Sequence, residues 1–191
     1  MKKVLLLTTI TLALHFSLSA QLAKNSWMIG GSLGFSSNAY KGTTVNQYAI
    51  TPKAGYFLID RLAAGIGLNV SLIHQSYSYP NYPFPSYHQN VYGVGPFVRY
   101  YFLPTQKPVN VLLEVSDQYN RVTQSATPSG HTNTFGFAAG PTFFLTPSVG
   151  LEWTIGYAWN RGAGPQGYGD SQTFKTTIGL QVYLTGKHRK G

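Results

Sequence analysis

From Trp27 onward the chain alternates. Trp27, Ile29, Leu33 and Phe35 share one parity, while Gly30, Ser32, Gly34 and Ser36 hold the other; this period of two marks a strand with two unlike faces. The pattern recurs from Tyr48 to Leu58, Leu62 to Leu72, Tyr92 to Phe102, Val109 to Val115, Phe135 to Phe143, Val149 to Trp159 and Phe174 to Leu184. Eight strands of about ten residues are therefore expected, each long enough to cross a hydrocarbon core when tilted. In a soluble barrel or sandwich the polar face would carry charged residues toward water. Here that face is mostly Gly, Ala, Ser and Thr, which suit the crowded lumen of a narrow eight-stranded barrel, and the bulky apolar face is left to meet lipid.

The connections alternate in the same sense. Ile59-Asp60-Arg61, Pro104 to Pro108 and Thr146-Pro147-Ser148 are short, whereas Ser37 to Gln47, Gln75 to Gln89, Thr123 to Asn133 and Asn160 to Ser171 are longer and polar. Short turns on one side and long loops on the other match the periplasmic and extracellular ends of an outer-membrane barrel. The expected fold is thus an all-β, eight-stranded antiparallel up-and-down transmembrane β-barrel. On that topology the outward aromatics fall into two girdles. Phe35, Tyr48, Tyr92, Tyr119, Phe135, Tyr157, Trp159 and Phe174 lie near the cell exterior, and Trp27, Tyr56, Tyr100, Phe102 and Phe143 lie near the periplasm.

Composition agrees. The 191 residues are 43% hydrophobic and 15% aromatic but only 10% charged, against roughly 25% charged in an ordinary soluble domain. Beyond the N-terminus no stretch approaches the roughly 18 consecutive apolar residues of a membrane-spanning helix. The absence of Cys excludes disulfides and thiol catalysis. Met1-Lys2-Lys3, the apolar stretch Val4 to Leu18 and the small residues ending at Ala20 read as a secretory signal peptide over residues 1–20. Its removal takes away two lysines and lowers the net charge from +9 to +7. Residues 21–184 would form the barrel and residues 185–191 a basic tail in the periplasm.

Few charges remain, so their positions are informative. Lys53, Arg99, Glu114, Glu152 and Lys175 all have lumen parity. Arg99 and Glu114 are on adjacent strands and can pair directly, as can Glu152 and Lys175. Polar groups that fill and lock a narrow lumen are the favoured reading, ahead of a gated pore. Pro52, Pro96 and Pro141 fall inside strands that a closed barrel gives no edge, so bulges are expected at each. Their spacing of 44 and 45 residues suggests a repeated hairpin unit. Asp117 has lipid-facing parity, which requires either that strand five has left the hydrocarbon there or that a bulge has shifted its register.

These residues carry a resemblance. The signal peptide, the eight strands and the phrases Gly95-Pro96-Phe97-Val98-Arg99-Tyr100-Tyr101-Phe102 and Gly140-Pro141-Thr142-Phe143-Phe144 resemble small bacterial outer-membrane barrels of the OmpA-transmembrane-domain, OmpX and OmpW kind. The resemblance spans essentially the whole mature chain. It implies an outer-membrane location in a Gram-negative-type bacterium, periplasmic termini, contact with outer-membrane lipid and lipopolysaccharide, and passage through periplasmic chaperones and the barrel-insertion machinery. Two departures stand out. Such barrels usually end on a terminal aromatic, whereas here Tyr183-Leu184 precedes Thr185-Gly186-Lys187-His188-Arg189-Lys190-Gly191, and a peptidoglycan-binding domain is not expected after strand eight.

Function is expected in the loops. Tyr77, Tyr79, Tyr82, Phe84 and Tyr87 lie in or beside a Pro-rich segment that offers stiff aromatic surface to a protein or glycan. The favoured reading is a non-enzymatic barrel serving envelope structure or surface adhesion, with no cofactor, no metal and no nucleic-acid partner. The alternative is an OmpW-like channel for small solutes. A weaker one is a hydrolase resembling lipid A deacylases, since His74-Gln75-Ser76 has their His and Ser two apart. His88 and His131 are further candidates to meet His74 as metal ligands.

Overall fold

The computed structural model describes residues 22–40, 43–77, 87–105, 107–124, 127–163 and 170–184. Eight strands follow one another: β1 (Trp27–Tyr40), β2 (Thr43–Ile59), β3 (Leu62–Tyr77), β4 (Tyr87–Tyr101), β5 (Val109–Gln124), β6 (Thr127–Thr146), β7 (Val149–Ala163) and β8 (Ser171–Leu184). Each pairs antiparallel with the next, and β1 pairs with β8 from Trp27↔Leu184 to Phe35↔Thr176, which closes the barrel. Closure leaves no unpaired strand edge. The expected parity holds in every strand. Leu33, Ile66, Leu72, Phe174 and Ile178 stand on an exposed outer face, while Met28, Phe57, Phe97, Leu112 and Tyr183 are buried inside.

The strands are longer than the sequence suggests, at 14 to 20 residues. The segment Ser37 to Gln47, expected as a loop, is mostly strand: Ser37 pairs with Asn46 and Tyr40 with Thr43. Thr123 to Asn133 is likewise mostly strand, with Gln124 opposite Thr127. The apolar alternation fades in these segments because they hold few large apolar residues, yet the backbone ladder does not need apolar side chains to continue. At the other end the turns are as short as expected. Asp60 and Arg61 join β2 to β3, and Arg61 adopts φ 68°, the left-handed conformation such a tight turn uses.

The prolines do not form bulges. Pro52, Pro96 and Pro141 each keep a partner on the preceding strand: Gly31, Ile66 and Val111. On the following strand the ladder skips two residues and resumes in the same register, Ile50↔Val70 then Lys53↔Gly67, Val94↔Tyr119 then Phe97↔Ser116, and Ala139↔Ile155 then Thr142↔Glu152. The missing donor is absorbed by a gap. At two of the gaps the residue before the proline is glycine, and the neighbouring carbonyl leans over its Cα. A Cβ added at Gly95 would stand 1.9 Å from Asp117 O, and one at Gly140 would stand 1.9 Å from Trp153 O. The true register shifts occur near strand ends, at Phe57/Ile59, Val122/Gln124 and Phe144/Thr146. No bulge separates Asp117 from Pro96, so Asp117 stays exposed on the outer face, opposite Phe135.

The close approach at Gly140 generates a test. Gly140→Ala must push β6 and β7 apart at a backbone atom that cannot move independently, and is expected to lower stability by about 1–3 kcal/mol or more, read as a lowered urea midpoint of the barrel refolded into lipid vesicles.

Candidate functional site

Inside the barrel the side chains fall into three layers. At the short-turn end lies an apolar floor. Leu22, Met28, Phe57, Ala63, Phe97, Tyr101, Leu112 and Tyr183 are buried together, with Phe144 packed against them. Leu22 belongs to a segment that crosses beneath the strands, held by Arg61 N donating to Leu22 O at 2.7 Å and Asn25 N donating to Phe57 O at 2.9 Å. Glycines on facing strands make room for the rings: Cβ atoms added at Gly55 and Gly65 would meet the Phe97 ring at 3.0 and 2.8 Å. Sequence reasoning missed this floor. Its signal is the loss of alternation near the turns, where Trp27-Met28-Ile29, Tyr56-Phe57-Leu58 and Tyr100-Tyr101-Phe102 are apolar at both parities.

Above the floor sits the charged layer. Arg99 is 2% exposed and Glu152 is 3% exposed. Arg99 Nε and Nη2 donate to Glu114 Oε2 at 2.9 and 2.6 Å, and Nη1 donates to both oxygens of Glu152 at 2.7 and 2.9 Å. Lys53 Nζ donates to the two oxygens of Glu114 at 2.7 and 2.9 Å. The Tyr101 hydroxyl joins Arg99 Nη1, Glu152 and the Tyr183 hydroxyl, and Gln181 Nε2 adds a donor to Glu152. Arg99 and Glu114 are direct partners in the β4–β5 ladder. Lys53 reaches Glu114 across the lumen from β2 to β5, Arg99 reaches Glu152 from β4 to β7, and Tyr101 reaches Tyr183 from β4 to β8.

Lys175 stands apart. It is opposite Gly156, four residues from the Gly179 that faces Glu152, and none of the five acidic side chains of the chain lies within 4 Å of it. The pairing of Glu152 with Lys175 is therefore replaced by that of Glu152 with Arg99. Above the charges, a hydrogen-bonded chain of neutral side chains runs along the wall. Ser71 donates to Asn69, Asn69 to Asn120, Asn120 to Thr134, Thr134 to Asn160, and Asn160 to Thr173, over 2.8 to 3.1 Å. A Cβ at Gly93 would lie 2.0 Å from Asn120 Oδ1, so glycine at that position is what lets Asn120 reach across β4. The charged layer and this wall enclose a cavity of about 300 Å³.

The outer face carries the aromatics. Trp27, Phe35, Tyr48, Tyr92, Phe102, Tyr119, Phe135, Phe143, Trp159 and Phe174 are exposed, and Tyr56, Tyr100 and Tyr157 are half-buried against neighbours. Trp27 meets Tyr56 at 5.1 Å, Phe35 meets Tyr48 at 5.2 Å and Phe135 stacks on Trp159 at 6.0 Å between ring centres. Phe137 and Trp153 add outward rings between the two girdles. The Trp153 indole donates to Thr176 Oγ1 at 2.9 Å, which satisfies a polar group where no water is needed. Among the loop aromatics, Tyr79, Tyr82 and Phe84 lie outside the described residues, while Tyr77 ends β3 and Tyr87 begins β4, opposite Gln75. Residues 1–21 and 185–191 also lie outside them.

The fold is that of a small outer-membrane β-barrel. The solved structure of Neisserial surface protein A matches over 82% of this chain and 96% of its own, at 18% identity and a TM-score of 0.55. The outer membrane protein OprG from Pseudomonas aeruginosa matches over 90% of this chain and 100% of its own, at 12% identity and a TM-score of 0.51. No family model and no curated protein sequence matches the chain.

The histidines do not assemble as the hydrolase or metal readings require. His74 lies opposite His88 on the outer parity, their Nδ1 atoms 3.4 Å apart, and His131 stacks instead on Tyr119, 5.7 Å between ring centres. Among the described residues no three His, Asp or Glu side chains come together.

The charged layer can be tested by deletion. Glu114→Ala leaves Lys53 and Arg99 short of a carboxylate inside the barrel and is expected to cost about 3–5 kcal/mol. Adding Lys53→Met to that variant removes one stranded cation and should recover part of the loss. Urea unfolding followed by tryptophan fluorescence reads both, and equal midpoints for wild type and Glu114→Ala would show that the pairing carries no stability.

Proposed function

We propose that the chain is an integral outer-membrane barrel with an occluded lumen, which serves envelope structure or surface contact through the hairpins at its long-strand end. The observation that carries this reading is the filled lumen. Arg99, Glu114 and Glu152 bridge its centre, and the Leu22-to-Tyr183 cluster packs the end below them. A barrel of eight strands has little space once side chains occupy it, so a continuous aqueous path is not the natural use of this interior.

The outer surface supports the location. Large apolar side chains cover it from Trp27, Phe102 and Leu184 at the short-turn end to Phe35, Tyr48 and Phe174 further along. A patch of this extent is far beyond what soluble monomers leave exposed. Its partners are outer-membrane lipid and lipopolysaccharide, with chaperones and insertion machinery acting during assembly. A protein or glycan is the proposed partner of the hairpin ends, where Tyr77 and Tyr87 flank the segment holding Tyr79, Tyr82 and Phe84. Catalysis is not part of the proposal, because His74 turns to His88 and no carboxylate joins His74 and Ser76.

Planar-bilayer recordings of the refolded protein test the occluded lumen. Wild type is expected to give no steady single-channel steps, and steady steps would favour a transport barrel instead. Gel mobility with and without boiling tests the membrane fold, with a heat-dependent shift expected; a protein that showed no shift and stayed soluble without detergent would overturn the location.

A further inference from the structure

The lumen is not charge-balanced. Among the described residues it holds three cations, Lys53, Arg99 and Lys175, and two carboxylates, Glu114 and Glu152. Both carboxylates are committed, Glu114 to Lys53 and Arg99 and Glu152 to Arg99. Lys175 is the remainder. It lines the cavity of about 300 Å³ together with Ser116, Gln118, Asn120, Thr173 and Thr177. Lys175 is half-buried; partly desolvating a cation with no carboxylate beside it has a cost, which a methionine or glutamine of similar volume would avoid.

From this geometry we infer that the lumen is a binding well for a small hydroxylated solute bearing an oxyanion, carboxylate or phosphate, with Lys175 as the residue that receives the anion. The wall supports the rest of the ligand. Its hydroxyls and amides both donate and accept, and Ala49, Val91, Leu112 and Ala158 set apolar surface between them, which suits a body with both hydroxyls and C–H faces, as a sugar ring has. The volume is at the lower end of the usual small-molecule range of about 300–1,000 Å³, so a single-ring or short-chain solute fits and a polymer does not. The charged layer and the apolar floor close the well below. Its lining reaches Gln47, Gln89 and Ser171 at the long-hairpin end, and a ligand enters from there. This is a binding site without passage, compatible with the occluded lumen but independent of the cellular role proposed for the barrel.

The test uses the full barrel refolded in neutral detergent at fixed ionic strength, with three probes: glucose 6-phosphate, gluconate and glucose. A ligand that binds only the folded state raises the thermal midpoint by mass action. At least one anionic probe is expected to give a saturable rise of about 5 °C, while glucose gives none. A rise with glucose 6-phosphate alone assigns the well to phosphates, and a rise with gluconate assigns it to carboxylates. Lys175→Gln should abolish the rise, and Lys175→Arg should retain part of it. The unliganded midpoint of Lys175→Gln should equal or exceed that of wild type, because an uncompensated charge has been removed. The inference is overturned if no anionic probe raises the midpoint at about 20 mM, if Lys175→Gln responds as wild type does, or if Lys175→Gln without probe unfolds several degrees lower, which would make Lys175 a structural cation.

Discussion

Closure of the sheet by the β1–β8 ladder is the constraint on which the rest depends. A sheet closed at eight strands has no edge, but its circumference is fixed and its interior is narrow. Every second residue of every strand must then fit that interior. Glycine beside a ring is one solution, as where Phe97 lies over Gly55 and Gly65 or where Tyr183 lies against Gly150. Hydrogen bonding along the wall is another, as in the run from Ser71 to Thr173. Adjacent strands are tied by backbone, whereas opposite walls touch only through side chains. The Lys53–Glu114 and Arg99–Glu152 pairs cross the lumen, as does the Tyr101–Tyr183 hydroxyl contact below them, and they fix the barrel's cross-section in a way the ladder alone does not.

Arginine at position 99 suits this role. Its planar group carries five donors in a fixed fork, and here it serves two carboxylates on two different strands, β5 and β7. Lysine could not hold both with the same geometry. Yet a buried ion network is not by itself more stabilising than apolar side chains of equal volume, and the floor of this same barrel shows that its lumen accepts Met28, Phe57 and Leu112. The charges in the middle therefore specify how opposite walls meet more than they add to net stability.

The architecture was legible because parity is a strong signal. Each of the eight alternating runs became a strand, and the inward positions of Lys53, Arg99, Glu114, Glu152 and Lys175 followed from counting. What was not legible has physical causes. The strand extensions from Ser37 to Tyr40, from Thr43 to Asn46 and at Gln124 and Thr127 are held by backbone pairing, which polar side chains do not announce. Bulges were the natural expectation at Pro52, Pro96 and Pro141, but a two-residue gap in the ladder removes the need for a donor while preserving register on both sides. The exchange of partners at Glu152 depends on distances across the lumen. Adjacency in sequence order favoured Lys175, while Arg99 approaches from the opposite wall with a longer and forked side chain.

Strand length also explains the aspartate on the outer face. In the proposed membrane orientation, the apolar run of β1 from Trp27 to Phe35 covers about 20 Å once strand tilt is included, close to the height of the apolar band of such barrels. Beyond it the outward positions become polar: Asn46, His74, His88, Asn133 and Arg161. The wall thus continues past the hydrocarbon as paired strands instead of dissolving into loops. Asp117 faces Phe135 across the β5–β6 ladder, and Phe135 belongs to the outer aromatic girdle, which in membrane proteins sits at headgroup level. In that proposed orientation the carboxylate would meet the polar boundary of the bilayer and not the chains beneath, and strand five would leave the hydrocarbon at that point without the change of register that a bulge brings.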